Sequence, residues 1–172
     1  GSGEQKIFGE RRLLKSPKWS PDGQWIVFSN SNGTWGCYLL GPTCRTESQI
    51  INSNPALAND PEAADKFLRG LEHVDNPIWT LARIDTAGKE YRDLAALGTA
   101  RTPDWSESGI VYQSTAGLQK TADQPDAENR AVVAEHYVQD PDWQPGNGGR
   151  IVYQKRQGSH WEIFAANADG SG

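Results

Sequence analysis

One motif constrains this chain more than any other feature: proline, one residue, tryptophan, a tight turn, then a β-branched and aromatic run. It stands as PKWSPDGQWIVFS from Pro17 to Ser29, PDWSESGIVYQS from Pro103 to Ser114, and PDWQPGNGGRIVYQ from Pro141 to Gln154. A second half-motif also recurs. IWTLARIDTAGKEYRDL (Ile78 to Leu94) and the last stretch of the chain share a nine-residue step, Trp79 to Gly88 and Trp161 to Gly170. Within Ser20-Pro21-Asp22-Gly23, Pro presets φ and Gly23 takes the left-handed position of a turn. Trp25, Val27 and Ser29 then alternate with Ile26 and Phe28, which predicts a strand covered on both faces. Ser31-Asn32-Gly33 is expected to turn the chain into a new strand at Trp35–Leu40. Strands at 79–84 and 90–94 about the turn Thr86-Ala87-Gly88, at 110–114, 117–121 and 130–135, and in the closing unit continue the pattern. With seven Trp, five Tyr, 18 Gly and 10 Pro, the composition suits many short strands between tight turns, and the expected class is all-β.

Residues 41–76 break the pattern. Glu47 to Ile51 read as an outer strand, whereas Asp60-Pro61-Glu62 is a helix start: an acid at the cap, Pro at the first helical position and a second acid in the first turn. Phe67, Leu68 and Leu71 follow at helical spacing, so a short helix is expected near 60–72. Asp60-Pro61-Glu62-Ala63 also aligns with Asp140-Pro141-Asp142-Trp143 as a copy that has lost its Trp. The sequence therefore admits three repeats with an insertion, or four.

A repeat period of about 40 residues with four short strands is the mark of a propeller blade. Pro17-x-Trp19-Ser20-Pro21-Asp22-Gly23, and Trp161-x-Ile163-Phe164 leading to Asn167-Ala168-Asp169-Gly170-Ser171-Gly172, resemble the TolB-like β-propeller repeat, a WD-repeat-like blade. The resemblance covers about 17–40, 78–114 and 139–172; Ser106 to Gly109 replaces the usual Pro-Asp turn and Gln144 to Gly149 lengthens it. It implies a single domain over 1–172, a β-propeller or partial propeller of three to four four-stranded blades starting near 17, 103 and 141 and, in the four-blade count, near 61. Trp19, Trp105 and Trp143 are expected to wedge between blades, and Asp22-Gly23 and Asp169-Gly170 to form turns rather than calcium loops. The chain ends in the Asp-Gly that precedes an outermost strand. Gln5 to Leu14 is therefore expected to supply the missing strand of the last blade, or two chains to join their open edges into a six- or eight-bladed ring.

The resemblance implies a non-catalytic module that recognises a protein or peptide through blade-connecting loops, in an extracellular, periplasmic or envelope-associated setting. The alternatives are a substrate-gating accessory domain of a hydrolase and a carbohydrate-binding propeller. Trp25, Trp35 and Trp161, away from the Pro-x-Trp position, and His160 beside Trp161 are the candidate ligand-binding residues. No catalytic residue is assigned. The chain lacks Gly-x-Ser-x-Gly, a phosphate loop and His-Glu-x-x-His, its three His are dispersed, and Asp140 with Asp142 or Glu135 with His136 are the pairs that would have to assemble for acid–base work. No cofactor is expected. Nor is a metal: the only two thiols, Cys37 and Cys44, lie too far apart for a zinc pair and lack His nearby. They either close a small disulfide across Gly41-Pro42 or lie as two unlinked buried thiols. The net charge of -5 is dispersed, with no basic run to neutralise phosphates and no apolar run of membrane-span length, so neither nucleic acid nor membrane insertion is expected. The lack of Met even at position 1 leads us to expect an excised or processed polypeptide, and Gly1-Ser2-Gly3 is left out of the functional argument.

Overall fold

The computed structural model describes residues 3–9, 13–41, 43–94, 96–146 and 148–171. Pro42 of the turn between the cysteines, Asn147 of the lengthened turn, residues 10–12 of the N-terminal segment and residues 1, 2, 95 and 172 lie outside the described residues. Among the described residues the repeats fold into three sheets. The first blade runs β1 (Leu14–Trp19), β2 (Trp25–Leu40), β4 (His73–Asp85) and β5 (Tyr91–Leu94), with the short β3 (Thr43–Arg45) paired to β2. The second is the meander β6 (Arg101–Ser106), β7 (Gly109–Ser114), β8 (Gly117–Thr121) and β9 (Arg130–Val133). The third has three strands, β10 (Val138–Trp143), β11 (Arg150–Gln157) and β12 (His160–Asn167). The fold is all-β and a partial propeller.

The blades superpose by register. Trp19 pairs with Ile26, Trp105 with Ile110 and Trp143 with Ile151, so each Pro-x-Trp ends the innermost strand of its blade. Each inner strand carries a bulge at the same place, and the residue before each Pro is left-handed: Ser16 at φ 53°, Thr102 at 44° and Asp140 at 50°. None of these is glycine, so each conformation costs about 1–3 kcal/mol and persists because the surrounding sheet dictates it. Successive strand residues face opposite neighbours. Ile110 and Tyr112 point back to a core with Val27, Leu81 and Leu94 of the first blade, while Val111 and Leu118 point forward to Trp143, Ile151 and Tyr153 of the third. We call these the leading and trailing faces of a blade.

The chain divides into two compact units, residues 1–32 with 79–172, and residues 33–78. The second comprises the end of β2, the start of β4 and everything inserted between them, and it corrects several expectations. Ser31-Asn32-Gly33 does not turn the chain: β2 runs unbroken for 16 residues with Gly33 at φ 92°, and β4 for 13. Residues 47–51 are helical rather than an outer strand. Helix α1 (Glu47–Ser53) starts in a capping box, Thr46 accepting from the Gln49 N–H and Gln49 accepting from the Thr46 N–H. After α2 (Pro55–Ala58), α3 (Pro61–Arg69) begins where a fourth blade start was considered; Asp60 caps the Ala63 N–H and Pro61 presets the first turn. Ile50, Leu57, Ala64 and Leu68 form the core of this unit, with Phe67 left exposed. Cys37 and Cys44 are joined as a disulfide, and Asn76 donates to Cys37 Sγ at 3.0 Å.

The N-terminal segment also departs from expectation. Its end, Leu14, opens β1, and among the described residues no strand pairs with the outer edge of β12. Ile7 and Phe8 pack instead on the leading face of the first blade, Phe8 stacking on Tyr91 at 5.1 Å and lying 5.6 Å from Phe28.

Candidate functional site

The inner strands begin at one end of the blade stack, and between the second and third blades that end opens into a cavity of roughly 650 Å³. Thr99 and Arg101 come from the connection into β6, Gln113, Ser114 and Thr115 from the β7–β8 hairpin, His136, Tyr137, Val138 and Gln139 from the connection into β10, and Trp161 from the start of β12. Loops lead here because each inner strand is entered from the preceding blade's outer strand and each central hairpin returns to the same end. Thr99 (φ 62°) and Tyr137 (φ 60°) are both left-handed, each four residues before the Pro of its motif. Strained non-glycine backbone at equivalent points of one rim marks a surface whose shape is specified by its surroundings.

Polar groups hold this rim. His136 Nδ1 lies 3.2 Å from the Thr115 carbonyl oxygen, tying one connection to the neighbouring hairpin. The Arg156 N–H donates to the Tyr137 carbonyl at 3.0 Å, and its guanidinium lies 5.7 Å from the Tyr137 ring, which stays largely exposed. Gln139 donates to Gln154 at 3.2 Å and Gln154 donates to Asp140 at 3.3 Å. Arg101 lies 5.7 Å from the buried Trp79 ring and has no carboxylate partner among the described residues. The cavity thus offers a cation, hydroxyls, amides and exposed aromatic surface.

Deeper along the inner strands, the variable residues of the three Pro-x-Trp motifs converge. Lys18 Nζ lies 3.1 Å from Asp142 Oδ1 and 3.4 Å from Asp104 Oδ1, while Asp104 Oδ2 accepts the Trp143 N–H at 2.6 Å. Burial, reinforced by the neighbouring Asp142 charge, pushes the Asp104 carboxyl above its ordinary range. Burial also acts to raise Asp142, but hydrogen bonds from Asp104 and Lys18 together with the Lys18 charge outweigh it and hold Asp142 low. For Lys18 burial acts downward, and its bonds and charge pairing with Asp142 and Asp104 more than reverse that. Lys18 thus stands against both carboxyls, Asp104 raised and Asp142 lowered. The node ties one residue from each blade to the other two.

The four ligand-binding candidates are not brought together. Trp161 lines the cavity and His160, next to it, pairs with Glu162 at 2.9 Å. Trp25 lies at the other end of the strands, its ring covered at 3.5 Å by Arg83, which is paired in turn with Asp123. Trp35 belongs to the second unit and is partly exposed. Neither acid–base pair assembles: Glu135 binds Lys155 at 2.5 Å, His136 faces Thr115, Asp140 accepts from Gln154, and Asp142 is engaged by Lys18. Of the motif residues, Trp143 is buried, Trp105 half-buried, and Trp19 is 59% exposed, with no blade packed on it among the described residues. Asp22 accepts from Ser20 Oγ and the Gln24 N–H, and Asp169 from the Ser171 N–H and Oγ, with Gly23 and Gly170 left-handed beside them. Sequence reading missed Thr99, Arg101, Gln113 and Tyr137 at the rim and Lys18, Asp104 and Asp142 at the node. The offset from the motif Pro could have found most of them, but not their residue types: Lys18 stands where the other two copies have Asp, and Thr99 where the third has Tyr137.

No family model matches the chain, and no curated protein matches it. Among solved structures it is similar to a putative TolB from Agrobacterium tumefaciens, with a TM-score of 0.47 and 17% identity over 96% of this chain and 62% of that one. The chain thus spans less than two thirds of the length of that neighbour.

Proposed function

We propose that the chain is a non-catalytic, propeller-type binding module that recognises a protein or peptide segment at the loop-lined cavity between its second and third blades. The observation that carries this reading is the cavity's construction. Four loop segments from two blades converge on a volume of roughly 650 Å³, two of them through strained left-handed residues, around Arg101, Tyr137 and Trp161. Side-chain hydroxyls and amides beside exposed aromatics suit an extended backbone with its alternating donors and acceptors, and aromatic and Arg anchors carry most of the energy of such interfaces. The disulfide fits an oxidising compartment, outside the cell or in its envelope.

Selection from a displayed random-peptide library, followed by titration of the enriched peptides, tests the reading. Arg101→Ala and Trp161→Ala should each weaken binding about tenfold or more, a loss of about 1.4 kcal/mol or greater. Failure to enrich any peptide, or affinities indifferent to both substitutions, would overturn it. Binding on a glycan array that is lost with Trp161→Ala would favour the carbohydrate alternative.

A further inference from the structure

The cavity between the second and third blades is lined by one permanent cation, Arg101, and by no carboxylate among the described residues. In a chain of net charge -5 that is a local exception. The acids on the connection into β10 are already engaged, Glu135 by Lys155 and Asp140 by Gln154. Deeper along the inner strands the motif supplies its own counter-charge, where Lys18 meets Asp104 and Asp142. At the mouth it supplies none.

Arg101 is held in place without being neutralised. Its backbone pairs with Gln113 in the β6–β7 ladder, and its guanidinium lies 5.7 Å from the ring of Trp79, a residue only 3% exposed. Among the described residues that guanidinium has no hydrogen-bond acceptor and no carboxylate. A guanidinium set beside an aromatic ring keeps the N–H groups of its own plane for an acceptor. A second cation stands at the same ring. Lys15 holds the place in β1 that Arg101 holds in β6, two residues before the motif Pro, and its Nζ lies 5.2 Å from the Trp79 ring. Two like charges gathered there raise the local positive potential and favour an anion arriving from solvent.

We propose that the segment bound at this cavity is acidic: Arg101 grips one of its carboxylates, and Lys15 draws it in. This rests on the cavity being a peptide site. A carboxylate is what the cation selects, because the planar fork of a guanidinium matches two carboxylate oxygens at once, and an amide has only one oxygen to offer. Tyr137, 68% exposed at the same rim, gives the residue beside the acid an aromatic surface. Lys15 does not line the cavity, so it acts on the rate of encounter more than on the final grip. The carboxylate belongs to an Asp or Glu side chain or to the C-terminus of the segment.

The test starts from a random-peptide library displayed with free C-termini and selected on the folded chain. The strongest peptide is then synthesised in three further forms: with its acidic side chains exchanged for amides, with its C-terminus amidated, and with both changes. One of the two single changes should weaken binding to the chain about tenfold or more, and it identifies the carboxylate that is gripped. The same change should matter less than about twofold on Arg101→Gln, with Arg101→Lys falling between. Circular dichroism checks that each variant folds, as expected for an exposed position. Lys15→Gln should slow association and flatten its salt dependence while leaving dissociation within about twofold. A peptide that binds equally well in all its forms, or one that loses as much on Arg101→Gln as on the unaltered chain, would overturn the acidic assignment and leave peptide recognition standing. Failure to enrich any peptide would overturn both.

Discussion

Trp143 and Trp19 occupy the same position of the same repeat, and the first is buried while the second lies mostly in water. Their motifs and strand pairing agree, since each Trp pairs with the Ile that opens the next strand. What differs is the neighbour: Val111, Val132 and Val133 of the second blade back Trp143, whereas among the described residues no blade backs Trp19. A repeat motif therefore specifies a blade's internal geometry, and the adjacent blade determines whether its aromatic stabilises anything.

The largest expected effect follows directly. Trp143→Ala should cost about 3–5 kcal/mol of unfolding free energy, a buried aromatic exchanged for a cavity, and Trp19→Ala less than about 1 kcal/mol. Equal losses in urea denaturation would break the comparison. Next comes the insertion, held by its own core and its disulfide. Replacing Cys37 and Cys44 with Ser should cost about 2–3 kcal/mol, with faster amide exchange confined to 33–78. Exchange that quickens equally in the three blades would show that the two units unfold as one.

Smaller effects probe the node and the rim. Asp104 has its carboxyl raised on folding, so it binds more protons folded than unfolded, and its contribution to stability falls as pH climbs from the ordinary Asp range through the raised value. Asp104→Asn keeps an acceptor for the Trp143 N–H and removes that dependence. The variant should gain on the parent over that window and run parallel above it, as read from melting temperature against pH. A constant offset at every pH would mean the carboxyl is not raised. Thr99→Gly should stabilise the fold by up to about 1 kcal/mol by relieving a left-handed threonine, with Thr99→Ala giving no such gain.

Much of this was legible in the sequence, for identifiable reasons. The blade starts at 17, 103 and 141 were readable because Pro, Trp, turn and alternation agree locally. The helix near 60–72 was readable because its cap and Pro act within one turn. Residues 47–51 were misread as a strand on Ile50 and Ile51 although Thr46 and Gln49 carry the capping-box spacing, a local signal outweighed by β-branching. The unbroken β2 through Gly33 was not readable, because pairing with the long β4 overrides the Ser31-Asn32-Gly33 turn signal. The place of Ile7 and Phe8, and the meeting of Lys18, Asp104 and Asp142, depend on contacts between separate strands and blades, and no residue type announces them.

Residue-resolved hydroxyl-radical footprinting of the tryptophans tests the central claim, that equivalent positions differ only by the blade beside them. Trp19 should oxidise fastest of the three motif tryptophans, Trp105 more slowly and Trp143 slowest. Three equal rates would contradict the account.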